Sequence, residues 1–228
     1  MASLNDINNN PLVSIIVNCY NGESYLEECL TSIQNQTYQN WEVIFWDNHS
    51  TDNSKQIFKK FTDKRFKYYL SPAHMYLYEA RDLAVKASSG DFITFCDVDD
   101  FWAKNRLEFQ IPLFANKNIG IVYCNQWLLN NKTKKKTKLK KGTLLKGNLF
   151  SDIISKKTSV TILTAIIRKS EYLNLDIGFN KNYQIIGDFD FFVRISKKCT
   201  YDCVQEPLVF YRLHENNFTR KNRELELA

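Results

Sequence analysis

Two periodicities alternate along the first hundred residues. Short apolar runs rich in β-branched and aromatic residues are separated by segments whose apolar positions recur every three or four residues. Leu12-Val13-Ser14-Ile15-Ile16-Val17 has the pattern of a strand buried on both faces. Asn21-Gly22 turns the chain. Ser24-x-x-Glu27 has the form of a capping box ahead of a helix carrying Leu26, Leu30 and Ile33. A second strand is predicted from Trp41 to Trp46, ending at Asp47. Ser50, Thr51 and Asp52 offer capping oxygens to a helix carrying Ile57, Phe58 and Phe61. A third strand runs from Phe66 to Leu70. The next helix carries Ala80, Leu83, Ala84 and Ala87, with Gly90 closing it. Phe92 to Cys96 is a fourth strand and leads into Asp97-Val98-Asp99-Asp100. This alternation predicts a parallel sheet covered on both faces. Parallel strands share a direction, so Asp47 and the acidic cluster fall on one edge.

The second half is less regular. Leu107 to Phe114 reads as a helix that Pro112 kinks or ends. Strands are predicted at Ile119 to Cys124, Val160 to Ile167 and Leu208 to Leu213, the last ending at His214. Leu149 to Ile154 is helical in pattern. Phe189, Phe192, Val193 and Ser196 place another helix directly after Asp188.

Composition narrows the class. The chain has 228 residues, 44% hydrophobic and 14% aromatic, enough for one sizeable α/β domain with a real core. No apolar run reaches the length of a membrane span. Met1 to Pro11 is polar and Asn-rich, without the basic and apolar regions of a secretory signal, so a cytosolic protein is expected. Cys19, Cys29, Cys96, Cys124, Cys199 and Cys203 are scattered. They form no zinc spacing with His49, His74 and His214 and read as buried free thiols. Much of the net charge of +6 sits in the lysine block Lys132–Lys141. Such a block is either a solvated hairpin loop or a docking surface for an anionic partner.

The acidic cluster carries the chemistry. Two carboxylates one residue apart at a strand end suit a hard divalent cation, Mg²⁺ or Mn²⁺, which bridges carboxylates to phosphates. Ligands of open α/β sheets bind at that edge. A solvated acidic turn is the plainer reading of an isolated Asp-x-Asp.

Further motifs bear on that choice. They are Val13-Ser14-Ile15-Ile16-Val17-Asn18-Cys19-Tyr20-Asn21, the segment Tyr25 to Tyr38, and Asp47-Asn48-His49-Ser50-Thr51-Asp52. Ala80-Arg81-Asp82, Gly90 to Asp100, Gly187-Asp188-Phe189-Asp190-x-x-x-Arg194 and Tyr211-Arg212-x-His214 complete the set. In order and spacing, from about Pro11 to about Arg220, they resemble the family 2 glycosyltransferases. The resemblance implies the GT-A fold, an α/β fold with a Rossmann-like, mostly parallel central sheet and helices on both faces. It implies one catalytic domain over residues 1–228, with a nucleotide-sugar-binding half at 11–100 and a less regular acceptor-binding half at 101–228. The implied reaction is transfer of a sugar, with inversion, from a nucleotide diphosphate donor, UDP being the usual nucleotide. The implied acceptor is a saccharide or a lipid-linked sugar of bacterial surface polysaccharide synthesis.

Residue roles follow from the same resemblance. Asp99 is the metal ligand, helped by Asp97 and by His214 from a late loop. Asp47 meets the uracil base, and Tyr20, Asn21, Arg81, Asp97 and Val98 contact the nucleotide sugar. Asp188 is the general base. A helix N-terminus lowers a carboxylate pKa, so burial beside Phe189 and the sugar has to oppose it. Plainer alternatives stay open: core packing for Tyr20, a solvated helix arginine for Arg81, an N-cap for Asp188 and a packing histidine for His214. Trp102 packs against a sugar or covers the sheet edge. The chain departs from the family pattern at His49, where glycine is usual, at Asp82 for Asn and at Gly187 for Glu. If position 49 needs positive φ, histidine tolerates it better than most residues.

Rival classes fit less well. In haloacid dehalogenase phosphatases the acidic pair follows the first strand, not the fourth. A nucleotidyltransferase wants a Gly-rich loop where only Gly22 stands. A catalytically silent binding module of the same fold is the non-enzyme alternative. Nucleic acid is not expected, because no aromatics interleave with the lysine block. A solvated hairpin loop is the plainer reading of that block, and peripheral contact with an anionic membrane, at the inner face of the cell membrane, is the functional one.

Overall fold

The computed structural model describes residues 10–183, 185–215 and 217. Residues 1–9 of the polar start and the end of the resemblance at Arg220 lie outside them. Four parallel strands form half of one sheet. β1 (Val13–Cys19) lies between β2 (Trp41–Asp47) and β4 (Phe92–Phe95), with β3 (Phe66–Leu70) outside β2. Cys19 lies opposite Asp47, and Ile16 opposite Phe95, so the chain leaves these strands at one edge. The order grows outward from β1 to β2 and β3, then returns to put β4 on the other side. A crevice opens at such a switch point, outside the carboxyl ends of the strands.

The connections are helices α1 (Leu26–Gln34), α2 (Ser54–Phe58) and α3 (Leu77–Lys86). α1 buries Leu26, Cys29, Leu30 and Ile33, the predicted stripe. α3 packs against β1 and β2, while α1 lies beside β5 (Phe101–Trp102).

The second half extends the sheet with mixed directions. β8 (Ile166–Arg168) runs antiparallel between β4 and β6 (Ile119–Asn130). β6 is parallel to β9 (Thr200–Leu213), and β5 pairs antiparallel with β9. β7 (Lys136–Lys138) folds back on β6, so the lysine block is a hairpin. Short helices α4 (Arg106–Gln110), α5 (Phe150–Ile154) and α6 (Lys169–Leu173) fill the connections, and α7 (Gly187–Ser196) follows Ile186. A 3₁₀ turn over Ile111–Ala115 takes over from α4 at Pro112, which has no N–H to continue the helix.

Several local expectations give way to tertiary contacts. The capping box does not form. α1 starts behind Tyr25, and the Gly22 carbonyl accepts the N–H groups of Tyr25 and Leu26 at 3.1 and 3.0 Å. Of the three oxygens offered to α2, Asp52 Oδ1 reaches the Ser54 N–H at 3.0 Å, whereas Ser50 Oγ accepts the Asn21 N–H across the loop at 3.1 Å. Phe61 lies beyond α2. Gly90 does not cap α3, which ends at Lys86. A Cβ there would stand 2.6 Å from Ser14 Oγ and 2.7 Å from the Leu12 carbonyl, so close approach to the start of β1 requires the glycine. Val160 to Ile167 is not one strand, because a 3₁₀ turn at Ile162–Thr164 precedes β8.

A polar seam joins the two halves inside the core. Arg106 is fully buried and has no carboxylate partner among the described residues. Its Nη2 donates to Thr94 Oγ1 at 2.9 Å and its Nε to Gln110 Oε1 at 3.0 Å, and its guanidinium lies 3.8 Å from the centre of a Trp102 ring. Burial lowers its pKa to about 10. Gln110 Nε2 in turn donates to the carbonyls of Val122 and Thr164, each at 3.0 Å. All six cysteines are free, five of them buried.

Candidate active site

The carboxyl ends of β1 and β4, the start of α3 and the start of α7 enclose one cavity of about 580 Å³. Tyr20, Val98, Asp97, Asp99, Leu77, Tyr78 and Arg81 line it from the first half. Gln126, Leu128, Leu139, Thr161–Leu163, Ile185, Asp188, Tyr211 and Asn217 line it from the second. The sheet builds this site in an elementary way. The strand ends hold backbone rigidly, and the turns that follow them project side chains into the crevice.

Asp97 and Asp188 face the cavity from opposite halves and share one cation. Arg81 Nη2 lies 3.0 Å from Asp97 Oδ1, and Arg81 Nη1 lies 2.7 Å from Asp188 Oδ1. Arg81 is 2% exposed, while the two carboxylate side chains are 34% and 35% exposed. Arg81 is not a solvated helix arginine: it lines the cavity, and its guanidinium is held between two carboxylates. Asp188 is the second residue of α7, not its N-cap, which is Ile186. Burial raises its pKa most, Asp97 adds to the rise, and Arg81 opposes it. Desolvation therefore wins over the charge-stabilising neighbours.

Asp99 and His214 come together. His214 Nε2 lies 2.9 Å from Asp99 Oδ2, and Asn217 Nδ2 donates to the same oxygen at 3.2 Å. Burial pushes the Asp99 carboxyl up, with Asp97 second, against the bond to His214. Asp100, the last of the cluster, points away from the cavity. It is 1% exposed, its Oδ1 accepts the Arg212 N–H at 2.8 Å, and burial raises its pKa strongly. Two carboxylates and an imidazole are a suitable donor set for Mn²⁺ or Mg²⁺. Among the described residues no group of three or more His, Cys, Asp or Glu is already gathered tightly enough to hold an ion. Asp99 and His214 are the pair that touches.

The remaining predicted residues divide. Tyr20 is 52% exposed, so core packing is excluded, and its ring lies 4.3 Å from that of His74. Val98 lines the cavity. Asn21 and Asp47 do not line it. Asn21 takes φ 53° and accepts the Thr51 N–H on its Oδ1 at 2.8 Å. Asp47 is 2% exposed, with Oδ1 receiving the Ser50 N–H at 2.8 Å and Oδ2 the Tyr68 hydroxyl at 2.6 Å. Both residues hold the 47–52 loop, and contact between Asp47 and a base requires the Tyr68 bond to give way. His49, on that loop, adopts φ 64°, the left-handed conformation that the departure from glycine raised. Trp102 covers the sheet, buried under Arg106, and lines no part of this cavity.

Sequence reasoning missed Tyr78, Gln126 and Thr161. Tyr78 sits one helical turn before Arg81 on the same face, and that spacing was the available signal. Gln126 and Thr161 bond to each other at 2.8 Å across two segments that sequence offers no reason to pair.

The model of glycosyl transferase family 2 matches residues 14–173. The chain belongs to this family. Among family 2 relatives, it is 39% identical over 120 residues to UDP-Glc:alpha-D-GlcNAc-diphosphoundecaprenol beta-1,3-glucosyltransferase WfgD of Escherichia coli, covering 53% of this chain and 47% of that protein. It is 26% identical over 212 residues to the putative teichuronic acid biosynthesis glycosyltransferase TuaG of Bacillus subtilis, covering 92% and 82%. The fold matches S. aureus TarS 1-349 in complex with UDP-GlcNAc, with a TM-score of 0.73 at 21% identity, covering 90% of this chain and 59% of that one. It also matches the mannosyltransferase PcManGT of Pyrobaculum calidifontis in complex with GDP-Man and Mn²⁺, with a TM-score of 0.70 at 17% identity over 96% and 63%. The chain thus spans about half the length of WfgD and three-fifths of the TarS chain. These likenesses establish the GT-A architecture of a family 2 glycosyltransferase for this chain.

Proposed function

We propose that this family 2 chain moves a sugar from a UDP-sugar to a hydroxyl of a saccharide or lipid-linked acceptor, with inversion, in the synthesis of bacterial surface polysaccharide. The observation that carries the reading is the single cavity with Asp97 and Asp99 on one wall and Asp188 on the other. The printed activity of WfgD on a diphosphoundecaprenol-linked sugar supports the acceptor class, and the UDP-GlcNAc complex of TarS supports the donor class.

The chemistry then follows from position. Asp188 accepts the proton of the acceptor hydroxyl, whose oxygen forms the new bond at the anomeric carbon while the bond to the UDP oxygen breaks on the opposite side. A raised pKa brings this carboxylate closer to the working pH of a base. Tyr20 stacks on the nucleotide base, Val98 lines the donor cavity, and Asn21 and Asp47 order the loop beside it. Asp99, with Asp97 and His214, would hold Mg²⁺ or Mn²⁺, and such an ion would offset the charge that grows on the leaving diphosphate. Among the described residues no helix is long and apolar enough to cross a membrane. Access to a lipid-linked acceptor is assigned to peripheral contact of the Lys132–Lys141 hairpin with the cytoplasmic face of the membrane.

Calorimetry with UDP tests the donor and metal assignments together. UDP binds with Mn²⁺ present and loses most of its affinity in EDTA or in Asp99→Ala. Equal affinity with and without the ion removes the metal from the mechanism.

A further inference from the structure

The start of α7 has no cap of its own. Ile186 carries no side-chain acceptor, yet the first N–H groups of a helix need partners that the helix cannot supply. One partner arrives from α3 instead. The Asp188 N–H donates to the Tyr78 hydroxyl oxygen at 3.3 Å, and the same hydroxyl donates to the Ile185 carbonyl at 2.9 Å. One phenol thus closes the first turn of α7 from outside.

Gly187 is the counterpart of this contact. Its φ is ordinary, so backbone freedom does not explain it. A Cβ at this position would stand 2.4 Å and 2.5 Å from two ring carbons of Tyr78. The backbone of α7 therefore lies directly on the tyrosine face, which only a glycine permits. Tyr78 is itself fixed: it is 3% exposed, and its ring stacks on Phe179 at 5.7 Å with 23° between planes. One turn along α3, Arg81 holds the Asp188 carboxylate at 2.7 Å. Asp188 is gripped at both ends from one face of one helix, its backbone by residue i and its carboxylate by residue i+3.

We infer that Tyr78, seated on Gly187, is a positioning residue that aims the Asp188 carboxylate at the acceptor hydroxyl. The inference rests on the assignment of Asp188 as the base. Tyr78 touches neither donor nor proton in this role. It acts through the backbone of Asp188, and a misplacement of about 1 Å at a reacting group can cost ~100-fold in rate.

The test is a double-mutant cycle. Tyr78→Phe keeps the ring on Gly187 and removes only the hydroxyl. Its kcat falls by about 10- to 100-fold, while UDP affinity and the KM for the donor stay within about twofold. In an Asp188→Asn background the same change costs nothing further, because the group it positions no longer takes the proton. A general structural role lowers the rate by the same factor in both backgrounds, and that result overturns the inference. So does Tyr78→Phe with near-normal turnover. Gly187→Ala is the second variant, should Tyr78→Phe fold poorly. Its methyl displaces the α7 backbone from the intact tyrosine, and kcat falls with donor affinity kept; unchanged turnover overturns the inference. Near-normal turnover in Asp188→Asn alone is a separate outcome: it removes the base assignment, and the inference with it, whatever Tyr78→Phe does.

Discussion

Asp188 shows how strongly surroundings decide what a residue type can do. A carboxylate in the first turn of a helix ordinarily has a lowered pKa. Here burial, with the Asp97 charge beside it, outweighs the Arg81 contact, and the pKa is raised. Two results follow. Asp188→Asn retains the shape of the side chain, so UDP binding changes little, while turnover falls by ~100- to 10,000-fold in steady-state assays with the acceptor. As the proposed base, Asp188 works only when ionised, so kcat is expected to decline on acidification at a pH above the ordinary aspartate value of 3.8. The sign for folding is the reverse: the native state holds this proton more tightly than the unfolded chain. Ionising Asp188 therefore costs stability, and the cost accumulates as pH rises from 3.8 to the raised value. Which carboxylates reach the cavity was only half legible in the sequence. Asp97, Asp99 and Asp188 carry their order and spacing with them. The burial of Asp47 depends on Tyr68 and Ser50, and the inward turn of Asp100 on Arg212, none of which local pattern can pair with them.

Among the elements, the lysine hairpin gains most from having its register known. Trp127 lies opposite Lys138, Leu128 opposite Thr137 and Leu129 opposite Lys136. Gln126, Leu128 and Leu139 line the cavity, so strand alternation puts Lys136, Lys138 and Lys140 on the other face. Among the described residues Lys132 alone in the block forms an ion pair, with Glu215. The lysines therefore form an uncompensated row on an edge strand. Each lysine near an anionic surface adds about 1 kcal/mol, weakened by salt. Replacing Lys136, Lys138 and Lys140 together by Glu reduces co-sedimentation with anionic vesicles at low salt by more than about 100-fold, and neutral vesicles bind neither protein. Equal sedimentation of both proteins leaves the row as protection of an open strand edge. Element existence was readable throughout the first hundred residues, where apolar runs and helical stripes do not overlap. It failed at Val160 to Ile167, where an apolar segment makes a 3₁₀ turn, and past Cys124, where the polar residues Asn125 and Gln126 carry β6 on through register shifts against β9.

Across the whole molecule, the parallel half and the mixed half meet along β4 and β8, and the seam is partly polar. Gln110 ties Arg106 to two carbonyls that belong to different segments. Gln110→Leu leaves these buried groups unpaired at a cost of ~1–3 kcal/mol each, so urea unfolding at neutral pH registers a loss of about 3 kcal/mol or more. A loss below about 1 kcal/mol means that the seam repacks around the change. The sequence foretold a polar-edged parallel sheet but not this junction, because Arg106 falls before the predicted helix and local pattern cannot pair Gln110 with carbonyls of distant segments. The cavity above the seam draws one wall from each half. The wall that bears Tyr20, Val98 and Asp99 comes from the regular half, and the wall that bears Leu139, Thr161 and Ile185 comes from irregular connections. Heredity can therefore edit the two walls at different speeds. On the proposed function, substitutions in the connections would redirect the chemistry toward new recipients while the strand ends keep the donor grip, and α3, which crosses to steady Asp188, would be the part such drift has to leave alone.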